Sequence, residues 1–207
     1  MAMTIVVTGT DTDIGKTVFA AGLTAALGAR YWKPVQAGLA DGSDTASVVT
    51  LGVPADRVLP EAYRLTTPCS PHLAAEIDRV TIDPDRLALP EVDGPLVVEG
   101  AGGVMVPVTR DLIFADLFAR WAKPVVLVAR TGLGTINHSL LSIEALRSRG
   151  VSILGIAFVG DAVEDSEATI ATLGKVRRLG RLPRLDPLNA ATLAEAFAAN
   201  FDLEAFR

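Results

Sequence analysis

The chain has few of the features that mark secreted, membrane or nucleic-acid-binding proteins. It holds one cysteine, Cys69, so no internal disulfide can form, and that usage fits a reducing compartment. No early basic segment leads into a long apolar run, and the apolar residues at 5–7 are too few for a signal-peptide core. Nothing approaches the roughly 20 consecutive apolar residues of a membrane span. Cationic excess is missing too. The 19 Lys and Arg are outnumbered by 24 Asp and Glu, the net charge is −5, and no basic stripe offers itself to nucleic acid. Repeats, low-complexity segments and linkers long enough to separate domains are also absent. A cytoplasmic protein with neither nucleic acid nor membrane as partner is expected. Apolar residues, by contrast, make up 50% of the 207, enough for one globular domain with a sizeable core.

Short β-branched runs alternate with longer Ala- and Leu-rich segments. The pattern predicts strands over 5–7, 30–35 (with a break near Pro34), 96–99, 125–129, 153–159 and 177–182. Helices are predicted over 16–28, 44–51, 112–122, 137–149, 164–174 and 189–199, with Ser43 as N-cap of the second. Residues 36–43 read as loop. Residues 53–95 hold seven of the twelve prolines and read as short helices and loops. The alternation predicts an α/β fold, a mostly parallel sheet with helices on both faces, in a single phosphate-loop domain spanning 1–207. Functional groups are then expected at the carboxyl ends of the strands.

The richest stretch follows the first strand: Gly9-Thr10-Asp11-Thr12-Asp13-Ile14-Gly15-Lys16-Thr17. A strand, a Gly-bounded loop ending in Gly-Lys-Thr, and a helix form a phosphate cradle. Loop amides and the helix N-terminus attract the anion, Lys16 reaches the terminal phosphates, and the Thr17 hydroxyl supports Mg²⁺. Five residues rather than four separate Gly9 from Gly15. The bland alternative is a tight turn with an accidental Gly-Lys-Thr. Asp11 and Asp13 would repel ATP, so they must face outward, or lie near Mg²⁺ or an amine.

Other chemistry-bearing residues fall at strand ends. Glu99 ends an apolar strand and suits an acidic position supporting Mg²⁺; a solvated carboxylate is the alternative. Asp44 is a second oxygen donor or a first-turn acid on a helix dipole. Lys33 either stabilises charge on a transferring phosphoryl group or is a solvated edge charge. Cys69 and His72 lie three apart, but the intervening Ser70-Pro71 argues against a nucleophile–base pair. His138 follows Asn137 at a helix start, where capping is the bland explanation; Trp32 and Trp121 read as packing residues, and Arg177, Arg178, Arg181 and Arg184 as a solvated face.

These motifs in this order resemble the dethiobiotin synthetases. The resemblance rests on the extended loop, on Trp32-Lys33-Pro34-Val35-Gln36-Ala37-Gly38 with Ser43-Asp44, on Pro68-Cys69-Ser70-Pro71-His72, on Val98-Glu99-Gly100-Ala101-Gly102-Gly103, and on Gly134-Thr135-Ile136-Asn137-His138. It implies a homodimer that uses ATP and Mg²⁺ to close a ureido ring on 7,8-diaminononanoate with CO2. By position it implies Lys33 and Lys16 as catalytic and Thr17, Asp44 and Glu99 around the metal. Thr12, Asp13, Ile14, Gly15 and Val18, with Gly100, Ala101 and Gly102, would contact nucleotide. Gly160, Asp161, Leu182, Pro183 and Arg184 would lie on the adenine side. Thr10, Lys33, Ala37, Thr135, Ile136 and Asn137 would meet the substrate, the last three from the partner subunit. The diamine gives the loop acids a cation to face. Ala37 stands where the family commonly has a hydroxyl residue, which removes one substrate-side hydrogen bond. An adenine-reading Asn is missing near Gly160-Asp161, implying looser base selectivity. A partitioning or positioning ATPase switch is the competing reading. That class usually carries an additional lysine early in the loop, and positions 10–14 have none. A cobalamin-pathway amidotransferase would need a further glutaminase domain.

Overall fold

A computed structural model describes residues 3–40 and 42–206; Asp41, read as loop, lies outside the described residues. In chain order it contains β1 (Thr4–Gly9), α1 (Lys16–Leu27), β2 (Arg30–Trp32), β3 (Val35–Ala37), α2 (Asp44–Thr50), β4 (Tyr63–Leu65), α3 (Pro71–Ile77), β5 (Leu96–Gly103), α4 (Phe114–Trp121), β6 (Val125–Arg130), α5 (Thr135–Arg147), β7 (Ile153–Val159), α6 (Glu164–Gly174), β8 (Arg178–Leu182) and α7 (Ala190–Asn200). Six strands form one parallel sheet in the order β2-β5-β1-β6-β7-β8.

Near-continuous apolar strands are what a sheet covered on both faces requires. Side chains alternate, so Ile5, Val7, Val97, Val126 and Val128 face α1, α2 and α7, whereas Val6, Val98, Val125 and Leu127 face α4, α5 and α6. On the first face Phe19 of α1 packs on Phe197, Phe201 and Phe206. Gly22 permits this approach, because a Cβ there would lie 2.5 Å from Phe197 Cδ2.

Several boundaries depart from expectation. The strand over 30–35 splits at Lys33-Pro34. Pro34 has no N–H to donate, and the chain leaves the main sheet after Trp32 to form a second, two-stranded parallel sheet, β3–β4. Strand β4 lies inside the proline-rich stretch read as helices and loops. The glycines after Glu99 are not a free turn; they extend β5, and Gly9 of β1 pairs with Gly103. Helix α5 begins at Thr135, capped by Gly134 in the left-handed region, so Asn137 is helical rather than a cap. Ser43 does cap α2, its Oγ accepting from the Ala46 N–H at 3.2 Å. Trp32 and Trp121 pack together, ring centroids 6.2 Å apart. The arginines are not all solvated: Arg178 and Arg181 pair with the buried Glu167. Among the described residues no helix is long and apolar enough to cross a membrane.

Candidate active site

The loop from β1 to α1 opens on a cavity of about 800 Å³ at the carboxyl ends of the strands. Thr12, Asp13, Ile14, Gly15, Lys16, Thr17 and Val18 line one side, Lys33, Ala37 and Asp44 another, and Ala101 and Gly102 a third. Two left-handed residues shape the loop, Asp13 at φ 54° and Gly15 at φ 87°. Alternation of this kind turns successive amides toward one concavity. Gly15 has no substitute, because a Cβ there would sit 2.6 Å from Val159 Cγ1. Ile14, 3% exposed, pins the loop to the core. The two loop acids sit differently: Asp11 is absent from the cavity lining, whereas Asp13 is part of its exposed rim. Asp11 accepts the Thr12 N–H at 2.8 Å and lies 4.0 Å from His138 Nδ1, and Asp13 is exposed.

Glu99, fully buried at the end of the apolar part of β5, is the hub. Its Oε1 accepts from Thr17 Oγ1 at 2.8 Å and from Lys33 Nζ at 3.2 Å, and its Oε2 accepts from the Tyr31 hydroxyl at 2.8 Å. Lys33 Nζ also lies 2.5 Å from Asp44 Oδ2 and donates to the Gly100 carbonyl at 3.3 Å. Burial alone would lower the Lys33 pKa; the carboxylates of Glu99 and Asp44 outweigh it and hold the ammonium above its usual range. Burial likewise opposes ionisation of Asp44, but Lys33 beside it keeps that carboxyl below its usual range. Tyr31 is pushed well up, first by burial and then by the Glu99 charge.

Lys16 contrasts with Lys33. It is 7% exposed, lines the cavity, and makes no ion pair among the described residues. Burial lowers its pKa, while Glu99 pulls the other way. A buried ammonium without an anion at its side is disfavoured, and a phosphate in the loop would relieve that.

The remaining predicted positions lie around this centre. Gly160 and Asp161 adjoin Leu182, Pro183 and Arg184 at the ends of β7 and β8. The Gly160 N–H donates to the Leu182 carbonyl at 2.9 Å, and Arg184 Nε is 3.3 Å from Asp161 Oδ2. Val159, which abuts Gly15, joins this patch to the loop. Thr135, Ile136 and Asn137 open α5 outside the cavity, and Thr135 Oγ1 donates to the Arg130 carbonyl at 2.5 Å. The Thr10 backbone runs close to Gly103, and Thr10 is not among the residues that line the cavity. Cys69 lines the cavity, but His72 turns its Nδ1 to Ser70 Oγ at 3.0 Å, so the two form no nucleophile–base pair.

Two supporting residues escaped the sequence reading. Gln36 Oε1 accepts the Asp44 N–H at 3.0 Å and so sets the start of α2 beside Lys33. Tyr31 holds the far side of Glu99. The available signal was spacing: Tyr31 lies two residues before Lys33, the period that puts strand side chains on one face.

A parallel sheet whose first strand delivers a Gly-Lys-Thr loop to a helix N-terminus defines a phosphate-loop nucleotide-binding protein. The comparisons agree and narrow it. A family model described as an AAA domain matches residues 3–192. The ATP-dependent dethiobiotin synthetase BioD of Novosphingobium aromaticivorans is 68% identical over 97% of this chain and 98% of its own length. That of Rhizorhabdus wittichii is 66% identical over 100% and 99%. The chain belongs to the dethiobiotin synthetase family. Among solved structures, the cell division ATPase MinD of Pyrococcus furiosus matches with a TM-score of 0.58, covering 100% of this chain and 97% of that one, at 17% identity. At that identity the likeness is one of fold, so the ATPase-switch reading shares the sheet with this chain and nothing more specific.

Proposed function

We propose that this chain works as a single ATP-dependent ligase domain, paired in a homodimer, that closes a ureido ring on 7,8-diaminononanoate. One amine adds to CO2, giving a carbamate and a proton. A carbamate oxygen attacks the γ-phosphorus, the bond to the bridging oxygen breaks, and ADP leaves. The second amine attacks the carbonyl of the resulting carbamic–phosphoric anhydride, closing the ring and releasing phosphate and a proton.

The observation that carries this reading is the Lys33 ammonium, 2.5 Å from Asp44 and 3.2 Å from Glu99 beside the phosphate loop. Lys16 is suited to hold the terminal phosphates, and Lys33 to neutralise negative charge that builds on the transferring group and the carbamate oxygens. Residues 12–18 and 100–102 would bind nucleotide, with Gly160, Asp161 and 182–184 on the base side. The donor set fits Mg²⁺, a hard cation that takes oxygen ligands. Thr17 offers a hydroxyl and Asp44 and Glu99 offer carboxylates, and the ammonium between those carboxylates marks a place that draws cations. Bound there, Mg²⁺ would screen the phosphate charges during transfer. A second copy would bring the N-terminus of its α5, at Thr135, Ile136 and Asn137, to the substrate carboxylate, with Thr10 and Ala37 on the same side.

The test is phosphate release by the purified protein. It should require diaminononanoate, bicarbonate and Mg²⁺ together. Release that ignores the diamine would refute the ligase reading.

A further inference from the structure

We infer that Tyr31 is a positioning residue for Glu99, fixing which carboxylate oxygen faces the phosphate loop; this rests on the reading of Glu99 as a metal-supporting residue. Tyr31 lies on β2 opposite Val97 of β5, and both residues point to the same face of the sheet. Glu99 is two positions beyond Val97, so the alternation of the strand returns it to that face. The Tyr31 ring therefore runs along the sheet toward the strand end, and its hydroxyl donates to Glu99 Oε2 at 2.8 Å. Neither residue is exposed to solvent.

The division of labour at Glu99 is complete. Oε1 takes Thr17 and Lys33, the groups on the cavity side, and Oε2 takes Tyr31. The last torsion of a glutamate is broad and roughly two-fold, so it is a poor device for holding one oxygen forward. A donor on the rear oxygen removes that freedom. Held this way, Glu99 turns one oxygen toward the cavity-lining Thr17 and Lys33, rather than a bidentate pair. That suits a small cation that keeps several waters and demands regular geometry. Outer partners of this kind orient the groups that meet a metal, and their loss typically weakens metal binding about 10- to 100-fold.

Tyr31→Phe keeps the ring and deletes the donor. The probe is Mn²⁺ in place of Mg²⁺, titrated by electron paramagnetic resonance into protein saturated with a non-hydrolysable ATP analogue. Tyr31→Phe should weaken Mn²⁺ binding about tenfold, leave analogue affinity at saturating metal unchanged, and regain turnover at high Mg²⁺. Unchanged Mn²⁺ affinity in Tyr31→Phe, with Glu99→Gln weakened, would overturn the role of Tyr31 and leave that of Glu99 standing. Unchanged affinity in Glu99→Gln would remove the underlying reading and the proposal with it. A second measurement needs no loss of the hydroxyl. The chain has two tyrosines, so protein grown with 3-fluorotyrosine should give two fluorine resonances, assigned with Tyr63→Phe. Adding Mg²⁺ to the analogue complex should shift the Tyr31 line and leave the Tyr63 line in place. A Tyr31 line that does not move would overturn the proposal.

Discussion

Lys33→Met offers the sharpest test of the site, because it removes the charge and keeps most of the stem. In the native protein Lys33 is 3% exposed and its ammonium pairs with two carboxylates, those of Asp44 and Glu99. Deleting one member of a buried charge group leaves the others uncompensated, at a typical cost of about 3–5 kcal/mol. Two features point to the low end. The Asp44 side chain is 32% exposed, so water screens part of its charge. Glu99 keeps its donors from Thr17 and Tyr31. A loss near 3 kcal/mol follows, which a domain stable by about 5–15 kcal/mol survives. The variant should therefore fold, and its kinetics can be read. Removing one preorganised stabiliser of developing charge costs about 10²–10³ in kcat. Nucleotide affinity should move far less, because the loop amides and Lys16 remain. The assays are urea unfolding, nucleotide calorimetry and steady-state phosphate release. If kcat and nucleotide affinity fall by the same factor, Lys33 is a binding or structural group and the reasoning fails.

The other predictions concern packing and pH. Gly22→Ala places a Cβ 2.5 Å from Phe197 Cδ2, and overpacking of this kind costs about 1–3 kcal/mol. Calorimetry should show a lowered Tm, and Phe197→Leu in the same chain should restore part of it; an unchanged Tm in the single variant would contradict the packing. Asp44→Asn should destabilise the protein at neutral pH. Because the folded state holds Asp44 below its usual pKa of 3.8, its contribution is fully present well above that value and is lost as pH falls through the folded-state pKa. The stability gap between wild type and Asp44→Asn should thus be flat from about pH 5 to 8 and close below about pH 4. A gap that persists in acid would show that Asp44 acts through packing.

The parts of the site legible in sequence are those fixed by local rules. A strand, a glycine-bounded loop and Lys16-Thr17 need only neighbouring residues to be recognised, and Glu99 is flagged by the apolar run before it. Ser43 was readable as a cap because capping is settled within one turn. What could not be read depends on register. That Tyr31 reaches Glu99 follows from the pairing of β2 with β5, across 68 residues of chain. Strand β4 escaped because three residues among prolines carry no period to count. The buried pairing of Glu167 with Arg178 and Arg181 was hidden likewise, since a cluster of arginines reads as solvated until an opposing carboxylate is placed beside it.

Pro34 links fold to chemistry more closely than its place in a motif suggests. Had β2 run on past Trp32, the chain would have continued along the sheet edge, and Asp44 would have had no reason to return. Instead the pairing with β5 ends at Trp32, Pro34 has no N–H with which to resume it, and the chain peels off into β3 beside β4. It turns at Gly38, φ +75°, against Pro68, and Gln36 captures the Asp44 N–H so that α2 starts over the site. Asp44 thereby meets the same ammonium that pairs with Glu99. The lysine alone on a strand edge would be an ordinary solvated charge. Enclosed by the returning chain, it becomes a buried cation whose charge the surrounding carboxylates hold in place, which is the state a phosphoryl-transfer site requires.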